Sequence, residues 1–278
     1  MKVVHSVGAL RRARADMGVT GLVPTMGSLH RGHISLVEHA SADNDAVAVS
    51  IFVNPTQFGP NEDLTKYPRS LPHDLAMLES AGVALVFAPE PADIYPPGFA
   101  SSIDVGRIGK VLEGAARPGH FAGVATVVAK LINLVQPSYI YMGQKDAQQC
   151  VVVKAMVRDL DMTVQVVVCP TVREGDGLAM SSRNMYLTPE QRIHAPALYR
   201  GLRAAEMIFG EGERRAIALR AAVLAEIDTV TRFEMDYISV ADAHSLEEVE
   251  TVRGPAIISL AARLGSTRLI DNVIVETD

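Results

Sequence analysis

The chain has 278 residues, 48% hydrophobic and 21% charged, with a formal net charge of −6. That balance belongs to a globular protein able to bury a substantial core, and the length suits one large layered domain with a smaller one. The basic residues form no runs of like charge, which argues against a nucleic-acid partner. A local cluster of donors for a small anion stays open.

Two cysteines, Cys150 and Cys169, lie in apolar segments without C-x-x-C spacing. They indicate neither a disulfide scaffold nor a thiolate zinc site, and are expected as reduced, buried thiols. The N-terminal stretch runs into charged Arg11, Arg12 and Arg14 without a signal-type apolar run, and no segment approaches the roughly 20 apolar residues of a membrane span. A cytoplasmic location without a membrane partner is expected.

Short β-branched runs predict buried strands at 19–24, 46–53, 83–88, 139–142 and 164–169. Helices are predicted at 34–42, 71–81, 124–135 and 147–160, placed to cover a parallel sheet on both faces. The expected fold class is α/β, a doubly wound, Rossmann-like parallel sheet with ligands beyond the carboxyl ends of its strands. The Pro-rich stretch 88–97 reads as an ordered surface loop because it contains Ile94 and Tyr95. Near Pro170 the pattern changes, so a first domain of 1–170 is expected to give way to a smaller C-terminal α+β domain of 171–278. Thr188 as N-cap and Pro189 at the first helical position open it. Two helical stretches, 189–209 and 213–230, and strands near 233–240, 256–262 and 269–275 follow.

Four constellations carry chemistry. After the first predicted strand comes Pro24-Thr25-Met26-Gly27-Ser28-Leu29-His30-Arg31-Gly32-His33. A helix start presents unpaired N–H groups and partial positive charge, and two imidazoles three residues apart can add donors toward a phosphate. Gly27 and Gly32 let backbone approach a ligand closely. A lone H-x-x-H also occurs as loop packing or in metal sites, but only Glu38 and His39 lie near as further ligands. The strand-to-helix position favours phosphate.

Asn54-Pro55-Thr56-Gln57-Phe58 follows the second strand and offers uncharged amides suited to orienting a hydroxy acid, or else a simple Asn-Pro turn. The charged segment 62–69 beyond it reads as a lid or as solvated surface. Gly143-Gln144-Lys145-Asp146 hands a strand to a helix, where N–H groups and Lys145 can converge on a triphosphate and Asp146 on magnesium or the nucleotide sugar. The same Lys-Asp pair also serves as plain helix capping. Met180-Ser181-Ser182-Arg183-Asn184 places two hydroxyls and a guanidinium where a leaving pyrophosphate could be clamped, if it is more than a polar linker. No P-loop, G-x-G-x-x-G or G-x-S-x-G occurs in a matching context.

Together and in this order, with Arg117-Pro118-Gly119-His120-Phe121 and Lys145-Asp146-Ala147-Gln148-Gln149, these segments resemble the pantothenate synthetase family of the nucleotidyltransferase superfamily. The H-x-G-H element alone is shared with class I aminoacyl-tRNA synthetases; the combination, running from Val23 to Asn272, is specific. The resemblance implies an ATP site built from Pro24, Thr25, Met26, Gly27, His30 and His33, with His33 catalytic and His30 beside it. Gly143, Gln144, Lys145, Asp146, Val172, Met180, Ser181, Ser182 and Arg183 would complete it. It implies pantoate on Gln57 and Gln149, with Asn54 and His120 supporting that pocket, and β-alanine near Gln57. Gly175 and Met142 depart from the family's usual Ala and aromatic residue without removing a functional group.

The implied reaction is ATP-dependent condensation of pantoate with β-alanine through a pantoyl adenylate, releasing AMP and pyrophosphate. Mg2+ would accompany ATP as cosubstrate, with Asp146 as its candidate ligand, and His30, His33, Lys145 and Arg183 would stabilise developing charge. The C-terminal domain would act as a lid carrying the Met-Ser-Ser-Arg loop, and the assembly would be a homodimer. A nucleotidyltransferase acting on a phosphate acceptor lacks a use for Gln57, a tRNA synthetase needs a longer chain, and a silent nucleotide-binding module would bind ATP without releasing AMP.

Overall fold

The computed structural model describes residues 1–60, 62–230 and 233–277. The chain forms two compact units, one of Met1–Gly143 with Val152–Pro170 and one of Gln144–Val151 with Thr171–Asp278.

In the first unit six strands, β1 (Lys2–Val4), β2 (Thr20–Thr25), β3 (Ala46–Ile51), β4 (Leu85–Phe87), β5 (Tyr139–Gly143) and β6 (Gln165–Cys169), form one parallel sheet in the order β1-β4-β3-β2-β5-β6. The expected doubly wound α/β architecture is what the chain adopts. β2 and β3 are buried along nearly their whole length, as strands covered on both faces must be, and this is why they read as continuous apolar runs. Strand order reverses between β2 and β5, so the crevice that such sheets use for ligands opens at the carboxyl ends of those two strands.

The connecting helices are α1 (Val7–Arg14), α2 (Arg31–Asp43), α3 (Leu71–Ser80), the short α4 (Pro91–Ile94) and α5 (Glu113–Ala116), α6 (His120–Val135) and α7 (Ala147–Asp159). Sequence periodicity missed β1 and α1. β1 has only three residues and α1 buries Leu10 alone, so neither carries a pattern long enough to read. α6 begins four residues earlier than expected because Gly119, in the left-handed region at φ 85°, turns the chain so that His120 enters the helix. Ile94 is fully buried, which fixes the Pro-rich loop around it.

In the second unit Thr188 and Gln191 exchange side-chain and backbone bonds in a capping box that starts α8 (Pro189–His194). The single helix expected over 189–209 is broken, and α9 (Ala197–Gly210) starts afresh after Pro196. Proline has no N–H to continue the ladder and constrains the residue before it. α9 and α10 (Ala216–Ile227) pack Leu198, Leu202, Leu219 and Val223 onto β7 (Phe233–Asp242), β8 (Ala256–Leu264) and β9 (Thr267–Val275). These three strands make an antiparallel sheet in chain order. Among the described residues, no helix is long and apolar enough to cross a membrane.

α6 also sets the position of the turn after β3. Its Gly123 lies against the 3-10 turn Pro55–Gln57, so a Cβ there would fall 2.4 Å from the Thr56 carbonyl oxygen and 2.8 Å from the Gln57 nitrogen. Gly123→Ala should therefore destabilise the protein by about 1–3 kcal/mol, the usual result of overpacking. Urea unfolding checks this, and a variant as stable as the parent would show that the turn yields freely.

Candidate active site

The loop between β2 and α2 is held in three ways. Gly27 takes φ 78°, a conformation costly for other residues, and a Cβ on it would lie 3.0 Å from Asp74 Oδ2. Asp74, on α3 and only 1% exposed, accepts the Ser28 N–H at 2.9 Å and the Leu29 N–H at 2.8 Å on its two oxygens. Thr25 adds a third tie, accepting the Gly27 N–H at 3.2 Å while donating to the Ser50 carbonyl at 2.8 Å.

The loop delivers His30 to the N-cap of α2. His30 Nδ1 accepts the Gly32 N–H at 3.2 Å, and His33 Nδ1 accepts the His30 N–H at 3.3 Å. This is a capping box built from imidazoles instead of Ser and Glu. A backbone N–H can only donate, so each Nδ1 presents a lone pair and each neutral ring carries its proton on Nε2. The ring centroids are 4.1 Å apart, so both imidazoles lie together at the positive end of one helix. The geometry is that of neutral imidazole donors; a protonated ring would set an Nδ1–H against a backbone N–H.

Beside it, Asn54, Gln57 and His120 form a second group. Asn54 is 1% exposed and fully committed. Its amide donates to Gln57 Oε1 and the Gly123 carbonyl, and its oxygen accepts from Thr56 and the Tyr95 hydroxyl. Burial raises the Tyr95 pKa, which keeps its hydroxyl a donor. His120 uses both ring nitrogens, donating from Nδ1 to the Gln57 carbonyl at 2.8 Å and accepting from Arg117 Nη1 at Nε2, 3.0 Å away. Burial and then the Arg117 charge push its pKa down to about 4. Arg117 also makes a two-point ion pair with Glu62, at 2.7 and 2.6 Å. Gln57 differs from these neighbours. Its amide nitrogen donates to the Met26 sulfur at 3.0 Å, a weak acceptor that a hydroxyl or carboxylate would displace.

The remaining candidates, apart from Gly143 at the end of β5, lie in the second unit. Gln144, Lys145 and Asp146 make one 3-10 turn leading into α7, with Lys145 Nζ 3.6 Å from Asp146 Oδ1. The Lys145 side chain is 20% exposed and that of Asp146 is 48% exposed. Gln149 follows on α7, half-buried. Val172 accepts the Met180 N–H at 3.0 Å, closing a narrow turn whose exit is Ser181. Ser181 caps the 3-10 segment Ser182–Tyr186 by accepting the Arg183 N–H at 3.3 Å. Among the described residues no three His, Cys, Asp or Glu side chains gather as a metal site.

The sequence did not mark out Asp74, and it gave Glu62, in the charged segment 62–69, and Tyr95, in the Pro-rich loop, no part in the site. Asp74 sits 44 residues beyond His30 on a helix with no motif of its own, and only the fold shows what it anchors.

The family model for pantoate-beta-alanine ligase matches residues 2–274. A pantothenate synthetase of Roseiflexus sp. (strain RS-1) is 59% identical over 277 residues, covering 99% of this chain and 100% of that protein. The crystal structure of pantothenate synthetase from Thermus thermophilus superposes with a TM-score of 0.95 at 48% identity, over 98% of this chain and 99% of that one. The pantoate-beta-alanine ligase of Francisella tularensis, crystallised in complex with beta-gamma ATP and beta-alanine, gives a TM-score of 0.82 at 36% identity over 100% and 99%.

Two outcomes follow from the geometry. Asp74→Asn leaves one acceptor oxygen for two N–H groups and turns an amide donor on the other, so stability should fall by about 1–3 kcal/mol, read by urea unfolding. His120 takes up a proton near pH 6.5 when unfolded but only near pH 4 when folded. Stability should therefore decline as pH drops through that window, by about 3 kcal/mol at its foot. His120→Gln, which binds no proton, should show a correspondingly flatter decline; an unchanged pH profile would mean that His120 does not govern it.

Proposed function

The chain belongs to the pantoate–β-alanine ligase family, and from that premise we propose how its residues carry out the ATP-dependent joining of pantoate to β-alanine. The enzyme is a ligase. In the first step a pantoate carboxylate oxygen attacks the α-phosphorus of ATP, and the bond to pyrophosphate breaks. In the second the β-alanine amine attacks the acyl carbon of the pantoyl adenylate, AMP leaves, and the amine loses a proton as the amide forms.

The observation that carries this reading is the paired imidazole cap at the start of α2. Two neutral N–H donors and a helix N-terminus, fixed before any substrate arrives, suit negative charge building on phosphate oxygens, where preorganised donors lower the barrier most. His33 is the catalytic histidine with His30 beside it, and Pro24, Thr25, Met26 and Gly27 shape the ATP site around them. Gly143, Gln144, Lys145, Asp146, Val172, Met180, Ser181, Ser182 and Arg183 bind the nucleotide, with Lys145 and Arg183 as its cationic partners. Gln57 and Gln149 hold pantoate, with Gln57 also serving β-alanine. Asn54 and His120 support that pocket by fixing Gln57 rather than by donating to substrate, since their polar atoms are already engaged.

Mg2+ comes with ATP as part of the cosubstrate. A half-exposed Asp146 carboxylate beside Lys145 fits a cation that keeps most of its ligands as water and phosphate and takes one or two carboxylates from protein. Its chemistry there is neutralisation of phosphate charge. The first 170 residues are read as the ATP- and pantoate-binding part, and residues 171–278 as the lid domain carrying the Met-Ser-Ser-Arg loop. The reading extends to a homodimer in the cytoplasm, acting on small molecules rather than nucleic acid or membrane.

The test is AMP release with ATP, magnesium, pantoate and β-alanine, and with each acceptor omitted in turn. Sustained AMP release should require both acceptors, while pantoate alone should give pyrophosphate only up to one equivalent of bound adenylate. His33→Ala and Lys145→Ala should each lose at least about tenfold in adenylate formation, given what single oxyanion donors contribute, without loss of fold. Near-normal adenylation by both would remove them from these roles.

A further inference from the structure

Two neighbouring residues of β9, Asp271 and Asn272, are 4% and 2% exposed and point to opposite faces of their strand, as consecutive strand residues do. Each grips a different segment of the second unit. Asn272 Nδ2 donates to the carbonyl oxygens of both Gln144 and Lys145, each at 3.0 Å. Its Oδ1 accepts from Gln144 Nε2 at 3.4 Å. Asp271 takes Arg173 in a two-point ion pair at 2.6 and 3.0 Å. The same guanidinium donates to the Gly177 carbonyl at 3.1 Å and lies 3.6 Å above the Tyr199 ring. Arg173 is bridged to Ala179 across the narrow turn that ends at Met180 and Ser181.

The consequence for the first segment follows from peptide geometry. In a trans peptide the C=O and the N–H that follows it point in opposite directions, and no cis peptide occurs among the described residues. Drawing the Gln144 and Lys145 carbonyls toward β9 therefore turns the N–H groups of Lys145 and Asp146 away from it. Holding two adjacent carbonyls from a single atom requires an NH2 group. A carboxylate of the same shape would set lone pairs against lone pairs.

We infer that Asn272 is the positioning residue for the Gln144–Asp146 turn, and that Asp271, through Arg173, positions the segment that runs from Val172 to Arg183. Two neighbouring residues of one strand thus set the aim of two nucleotide-binding segments. The inference rests on the reading of those segments as nucleotide-binding.

The experiment compares Asn272→Asp, Asn272→Ala, Lys145→Ala and Arg268→Ala in the intact enzyme. Arg268 lies on the same strand but pairs with Asp236 at 2.6 Å. KM for ATP and for β-alanine, kcat and the melting temperature are measured for each. KM for ATP should rise at least about tenfold in both Asn272 variants, in keeping with the sensitivity of catalysis to small misplacements, with KM for β-alanine and the Arg268→Ala enzyme little changed. Near pH 7 Asn272→Asp should be the worse of the two despite its matching shape, and its defect should shrink as pH is lowered and the carboxyl regains a donor O–H. A packing role would predict the reverse order, with the smaller Ala worse, and that order would overturn the assignment. So would equal rises in KM for all substrates. If Lys145→Ala weakens ATP use while the Asn272 variants do not, the positioning role fails and the nucleotide reading stands; if Lys145→Ala has no effect on ATP, the nucleotide reading fails and the positioning role falls with it. Should neither Asn272 variant fold, Asn272→Ser, with one short donor, is put through the same comparison.

Discussion

Every helix begins with N–H groups that have no partner inside it, and at the start of α2 two of these are answered by imidazole nitrogens. Much of the candidate site depends on that choice. Because Nδ1 of each ring must accept, Nε2 becomes the donor, and because the cap fixes ring orientation, the direction of donation is settled before a substrate is present. The cap in turn needs the chain to leave β2 through a left-handed Gly27 and to be tied down at Ser28 and Leu29 by Asp74. A carboxylate buried to 1% exposure is tolerable there because both its oxygens receive backbone N–H groups near a helix start, where negative charge is favoured.

The polar residues around Gln57 show a graded commitment. Asn54 and His120 are saturated by internal bonds, and Arg117 is divided among Glu62, His120 and the Gln57 carbonyl. The Gln57 carbonyl is therefore clamped from two sides, whereas its side-chain amide meets a thioether that competes poorly for hydrogen. Rigidity in the backbone with exchangeability at the tip is what a substrate contact requires. The low pKa of His120 belongs to this arrangement: a second positive charge beside Arg117 would break the clamp.

Strands β2 to β6 were legible in the sequence as short apolar runs, and Thr188-Pro189 announced a helix start through local capping chemistry alone. Three features were not legible. β1 and α1 are too short or too polar to show a period. The break at Pro196 lay inside an otherwise continuous helical pattern. Asp74 and Asn272 act across 45 and more than 120 residues of sequence. Motifs mark the groups that face a ligand, since those sit in short runs after strands. The groups that hold the motifs in place come from wherever the fold brings a buried amide or carboxylate, and no spacing rule predicts them.

A chain with net charge −6 and no basic run has little long-range attraction to offer a triphosphate. The donors proposed for binding one are directional: helix N–H groups, imidazole Nε2–H donors, Lys145 and Arg183. Directional donors act strongly only if they need no reorganisation when charge develops, so the energetic burden moves to the residues that fix them. Asp74 beneath the histidine loop and Asn272 beneath the Gln144–Asp146 turn are buried polar groups whose partners are backbone, the type of contact that is costly to leave half made. In such a design, loss of a positioning residue and loss of a donor both lower activity, but they differ in what else they disturb. The donor's removal leaves the backbone intact, whereas the positioning residue's removal releases the segment that carries several donors at once.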